Sequence, residues 1–168
     1  MNDPNRVDLT EAAAALLRDL TVKHGPLMFH QSGGCCDGSS PMCYPDGEFL
    51  TSEADIRLGD LAVPGVDRPV PFWMSTSQYE YWKHTHLTVD VVPGRGSGFS
   101  VEAPEGVRFL IRSRLLTDAE IAYFQLSNMR TDIGLIAYVG VANYVADCQS
   151  QPNSPTSAAA FLTSTARR

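Results

Sequence analysis

The chain has 168 residues, 43% of them hydrophobic and 19% charged, which suits one folded domain and excludes a wholly disordered one. A formal charge of −6 lacks the basic face that phosphates require, so no nucleic acid is expected as a partner. No apolar run approaches the roughly 20 residues of a membrane-spanning helix, so no membrane association is expected either.

Residues 1–8 read as a flexible leader. They lack the basic-then-apolar pattern of a signal peptide, which points to a cytoplasmic protein. Asp8 and Glu11 are spaced as a helix-capping box, and Leu9, Ala12, Ala13, Leu16, Leu17 and Leu20 then share one helical face. The helix should stop near His24-Gly25-Pro26. Leu27 to Gln31 reads as a strand that enters an irregular Gly-, Ser- and Pro-rich loop beginning at Ser32. The cysteine-rich part of this region runs from Gly33 to Tyr44. Ile56 to Val63 is a strand with a bulge expected near Gly59, and Val70 to Met74 is another. Ser75 to Trp82 suits a short capped helix, His86 to Val92 a strand, and Pro93 to Gly98 a turn. In Val107 to Leu115, Val107, Phe109, Ile111 and Leu115 point one way while Arg108, Arg112 and Arg114 point the other. Thr117 starts a further helix with Glu120 at the capping-box position. Together these predict an α+β fold with one domain over residues 9–128. Residues 129–168 read as a helical, partly disordered C-terminal extension, rich in Ser, Pro, Ala and Thr from Gln149 onward.

Cys35, Cys36 and Cys43 lie within nine positions, with Cys148 apart. Structural disulfides are rare in the cytoplasm, so clustered cysteines there point to metal ligands or redox thiols. Gly33, Gly34 and Gly38 let backbone amides converge and favour a thiolate or a bound anion. His30 could add a nitrogen ligand, and Asp37 and Asp46 oxygens. His84 and His86 flank Thr85, and at strand spacing they would share a face and chelate one ion. The candidate metal set is therefore Cys35, Cys36, Cys43, His30, His84 and His86, for zinc, iron or copper. The spacing is not that of a zinc finger, since paired Cys-x-x-Cys knuckles are absent. Against metal binding and thiol redox stands a plain reading, in which the cysteines are small fillers of a tight loop.

Trp73, Tyr79, Tyr81 and Trp82 could wall a pocket for a flat ligand or form a core layer. The three arginines could bind an anion or form a solvated face. No Gly-x-Ser-x-Gly elbow, phosphate loop or dinucleotide fingerprint is present, so catalytic residues stay unassigned and the sequence leans away from an enzyme. A nucleophilic pair of Cys35 or Cys36 with His30, His84 or His86 remains open.

Three segments carry a family resemblance: His24 through Cys43, Phe72-Trp73-Met74 through Lys83-His84-Thr85-His86, and Gly96-Ser97-Gly98-Phe99-Ser100-Val101-Glu102. Over roughly residues 9–125 the chain resembles the bacterial DUF779 family, whose members often lie beside aldehyde dehydrogenase genes. The resemblance implies a role near aldehyde metabolism and an aldehyde dehydrogenase as a partner. The order of features is also similar to the A-type (HesB-like) carriers of iron–sulfur assembly. Thr10, Ala13 and Leu17 match the first helix of those carriers. Gly33-Gly34-Cys35-Cys36-Asp37-Gly38 matches their Gly-Gly-Cys-x-Gly with one residue more. That likeness implies a compact β-rich fold of the carrier type. It also puts Cys35 or Cys36 at the first ligand position. The carriers end in Cys-Gly-Cys, whereas Arg108 to Ile111 holds no cysteine, which counts against an iron–sulfur cluster unless Cys43 stands in.

The expected function is a thiol- and metal-binding accessory protein associated with aldehyde dehydrogenase metabolism. One alternative is a non-catalytic interaction module that docks on a dehydrogenase through Trp73 and Trp82, with structural cysteines. Another is a cysteine-dependent enzyme acting on an aldehyde or its thiol adduct. Self-association into a homo-oligomer is open in each case.

Overall fold

The computed structural model describes residues 5–34, 36–96 and 98–127. The expected extension over 129–168 lies outside these residues, as do Cys35 and Cys148. The chain divides into two units, Met1–Ile121 and Ala122–Arg168. Of the second, only residues 122–127 are described, and they are helical.

The first unit is a mixed α/β domain with two sheets, in keeping with the α+β expectation. Its elements are β1 (Val7–Leu9), α1 (Glu11–His24), β2 (Leu27–Gln31), β3 (Met42–Pro45), β4 (Asp55–Leu61), β5 (Val70–Ser75), α2 (Thr76–Trp82), β6 (Thr85–Pro93) and β7 (Val107–Leu115). One sheet has the order β1-β6-β7 and the other β3-β2-β5-β4. Both are mixed: β1 runs parallel to β6 and β2 parallel to β5, while the remaining pairs are antiparallel.

The leader expected over residues 1–8 is corrected at its end. Val7–Leu9 pairs with Leu87–Val89, and Val7 is wholly buried. Asp8 is therefore a strand residue and cannot cap α1. Thr10 caps it instead, accepting from the Ala13 amide and donating its hydroxyl to Asp90. Ala13, Ala14, Leu17 and Leu20 form the buried helical stripe, and Gly25 closes the helix at φ 78°. The register of β4 on β5 shifts between Arg57 and Gly59, at the expected bulge. Ser75 caps α2, and Thr117 and Glu120 form the reciprocal capping box. Two further expectations change. Met42–Pro45 leaves the loop to pair with β2. Leu115 is 76% exposed, because it pairs with Thr85 at the end of β6, past the cover of the core.

Strand alternation sets which side chains face the core. Leu27, Phe29, Cys43, Val70, Phe72 and Met74 face inward from one sheet, and Val7, Leu87, Val89, Phe109 and Ile111 from the other. Phe29 joins the two sets. Its ring lies 5.7 Å from Phe72 within its own sheet and 5.0 Å, edge to face, from Phe109 of the other. Among the described residues no helix is long and apolar enough to cross a membrane.

Truncating this junction removes contacts to both sheets at once. Phe29→Ala is expected to lower stability by about 3–5 kcal/mol in urea unfolding, against less than about 1.5 kcal/mol for Val22→Ala on the exposed side of α1. Equal costs for the two would contradict the assignment of Phe29 as the junction.

Candidate functional site

The loop from Gly33 to Ser40 connects β2 to β3, and its described residues are tied at several points. Gly38 N donates to Ile111 O at 2.8 Å, and Ile111 N donates back to Ser39 O at 2.8 Å. Arg108 Nη1 reaches Gly38 O at 3.1 Å and Ser40 Oγ at 2.9 Å. Ser113 Oγ donates to Asp37, and Trp82 Nε1 donates to Gly34 O at 3.1 Å. Within the loop, Ser39 N and Oγ both donate to Cys36 O. Gly34 sits at φ 97° with the Ser39 side chain where a Cβ would project, so only glycine fits. Cys36 remains exposed on this fixed frame.

Cys43 has a different setting. It is 0% exposed on the inward face of β3, opposite Phe29. Burial pushes its thiol well above the usual range, and the Glu102 carboxyl adds to the shift. Glu102 is itself buried and accepts a hydrogen bond from Ser100, whose hydroxyl also accepts from the Cys43 amide at 2.8 Å. Burial raises the Glu102 pKa against the hydrogen bonds it accepts. Cys43 is thus a core thiol poorly suited to ionise.

The histidines are separated too. His30 shares a face with Met42, opposite in sense to Phe29 and Cys43, so it cannot join Cys43 at one ion. Its Nε2 lies 2.9 Å from Asp55 Oδ1 and its Nδ1 2.7 Å from Ser32 Oγ. The imidazole is 3% exposed and packs on Phe49, with ring centroids 4.3 Å apart. His84 lies in the turn before β6 and is exposed, whereas His86 is buried. Strand alternation begins only at Thr85, so the two do not share a face. His86 Nε2 bonds Asp8 Oδ2 at 3.0 Å, and its Nδ1 has no partner among the described residues.

Asp37 and Asp46, the other candidate donors, are engaged by Ser113 and Arg68. Among the described residues no group of three or more His, Cys, Asp or Glu side chains is placed to hold a metal ion. The arginines of β7 pair in turn. Arg112 binds Asp90, Arg114 binds both oxygens of Glu120, and Arg108 holds the loop. Of the aromatics, Trp82 is buried, Tyr81 is exposed and Tyr79 lies beneath Arg6. Trp73 does line a cavity of about 420 Å³ on the outer face of the four-stranded sheet, with Met28, Phe49, Arg57, Arg68 and Pro71.

Ser32, Asp55 and Phe49 were not legible as site residues. Ser32 carried a signal, since two positions beyond His30 it falls on the same face of an extended chain. Asp55 carried none, because its approach depends on the pairing of β4 with β5.

His30 holds the Asp55 carboxyl below the usual carboxylate range, with the Ser52 amide as the next cause. A depressed folded pKa stabilises the fold above the unfolded pKa, and this contribution is lost as pH falls through the folded value. Asp55→Asn is therefore expected to lower Tm at pH 7, with the gap to wild type narrowing below about pH 4. Thermal melts from pH 7 to pH 3 check this, and a gap that stays constant would contradict it.

Comparison with known proteins adds one finding. No curated protein matches the chain. Residues 16–115 match the model of a family described as a domain of unknown function. That match runs from within α1 to the end of β7, including the cysteine loop and the His30 site, and the chain belongs to the DUF779 family.

Proposed function

We propose that the chain is a thiol-bearing accessory protein of aldehyde metabolism, acting through the adjacent Cys35 and Cys36. The observation that carries this reading is the restraint on the loop. Hydrogen bonds with Ile111, Arg108, Ser113 and Trp82 hold its described residues, yet Cys36 is left open to solvent. Such restraint has a use if the thiol must meet an incoming group, because it lowers the ordering cost of binding. Cys43 does not take part, being enclosed in the core.

Two chemistries suit an exposed thiol of this kind. It adds to an aldehyde carbonyl, forming the carbon–sulfur bond while the proton passes to the carbonyl oxygen. It also ligates zinc, copper or iron as thiolate. The described residues supply too few donors for a closed site, so a metal would draw its remaining ligands from an aldehyde dehydrogenase or a second copy. The dehydrogenase partner rests on the gene neighbourhood of the family. The alternative, docking through Trp73 and Trp82, keeps only Trp73 on an open face, since Trp82 is buried.

Elemental analysis and alkylation mapping of anaerobically purified protein test the proposal. The double variant Cys35→Ser/Cys36→Ser should lose bound metal and rapid aldehyde uptake, and Cys43→Ala should keep both. Cys43 should resist alkylation until the chain unfolds. Unchanged metal content and aldehyde uptake in the double variant would refute the reading.

A further inference from the structure

The hydrogen bonds around His30 have a direction. Ionised Asp55 can only accept, so His30 Nε2 must carry the ring hydrogen. In the neutral ring Nδ1 is then the acceptor, and the group in reach is the Ser32 hydroxyl at 2.7 Å. Asp55 is held in turn by Ser52, whose amide lies 2.8 Å and hydroxyl 3.1 Å from Oδ2. The result is a hydroxyl within hydrogen-bond reach of an imidazole that a carboxylate holds in place. The imidazole is buried and the carboxylate nearly so, while Ser32 is exposed just past the end of β2. A nucleophile bonded to a base, with the base oriented by a third group, is the arrangement that activates serine.

We propose that Ser32, His30 and Asp55 form a nucleophilic relay that hydrolyses carboxylic esters, separate from the thiol chemistry of the loop. Ser32 Oγ attacks the carbonyl carbon and its proton passes to His30 Nδ1. Asp55 stabilises the imidazolium through Nε2–H. The bond to the alcohol oxygen breaks, and the alcohol leaves with the proton from Nδ1. Water then gives a proton to Nδ1 and its oxygen to the acyl carbon. Ser32 Oγ departs and recovers that proton. The balance is ester plus water to acid plus alcohol.

Surrounding groups select the substrate class. Ser52 hydrogen-bonds Asp55 and Phe49 packs on His30, and neither is a cation. Arg57, on the same sheet face, is engaged by Asp60 and lies over Trp73. A transferring phosphoryl group requires a cationic clamp, so acyl transfer fits better. Phe49 covers His30 and continues into the cavity lined by Met28, Pro71 and Trp73, and Trp73 is also the cross-strand neighbour of His30. Esters with an apolar acyl group match that wall.

The full chain should hydrolyse 4-nitrophenyl butyrate and be labelled at Ser32 by a fluorophosphonate probe, located by peptide mapping. Ser32→Ala should lower kcat/KM about 100-fold or more while staying folded by circular dichroism, since Ser32 is exposed and only the hydroxyl bond to His30 is lost. Asp55→Asn should lower kcat more than it raises KM and shift the rising limb of the pH profile. Absence of label at Ser32, or wild-type hydrolysis by folded Ser32→Ala, would overturn the proposal. So would hydrolysis that survives Ser32→Ala but is lost in Cys36→Ser, because it would assign the reaction to the thiol.

Discussion

The edge-to-face contact of Phe29 with Phe109 couples the two sheets. One ring comes from β2, the strand buried along its whole length, and the other from β7. Aromatic pairs of this geometry add specificity to plain area burial, because the ring edge must meet the opposing face. Phe72 stands behind Phe29, so a displaced ring would disturb both sheets. Cys43 shares this inward face with Phe29. A thiol there is a packing element, however suggestive its neighbours in sequence.

Because β2 is set by that contact, so are the two places where it delivers chemistry. Its outward side carries His30 toward Asp55, and its end releases Ser32 and the cysteine loop. Alternation along one strand thus divides the functional candidates. His30 and Ser32 belong to the sheet's outer face, Cys43 belongs to the core, and Cys36 belongs to a loop tied to the opposite sheet. A single shared metal centre would need these side chains on one side of the strand.

Most regular elements were legible because their signals are local. Gly25-Pro26 ends α1, strict alternation marks β5, and Thr117 with Glu120 starts the last helix. β1 was not legible, since three residues hold no periodicity and their partner lies at Leu87–Val89. β3 was hidden by its Met-Cys-Tyr-Pro composition beside a Gly-rich loop. The site failed for a related reason. His84 and His86 look like a chelating pair only if the strand starts before both, and it starts between them. The Asp55 contact requires the register of β4, β5 and β2 together, which no local pattern encodes.

The pairing of the loop with Ile111 also bears on how the molecule behaves in company. β7 lies at the margin of its sheet, and such a strand offers unspent amides and carbonyls to any passing chain. By occupying both backbone groups of Ile111, the loop blunts that margin at its midpoint. Arg108 and the Asp37–Ser113 bond hold the plug in place on either side. A foreign strand that sought to pair with β7 would first have to displace this plug.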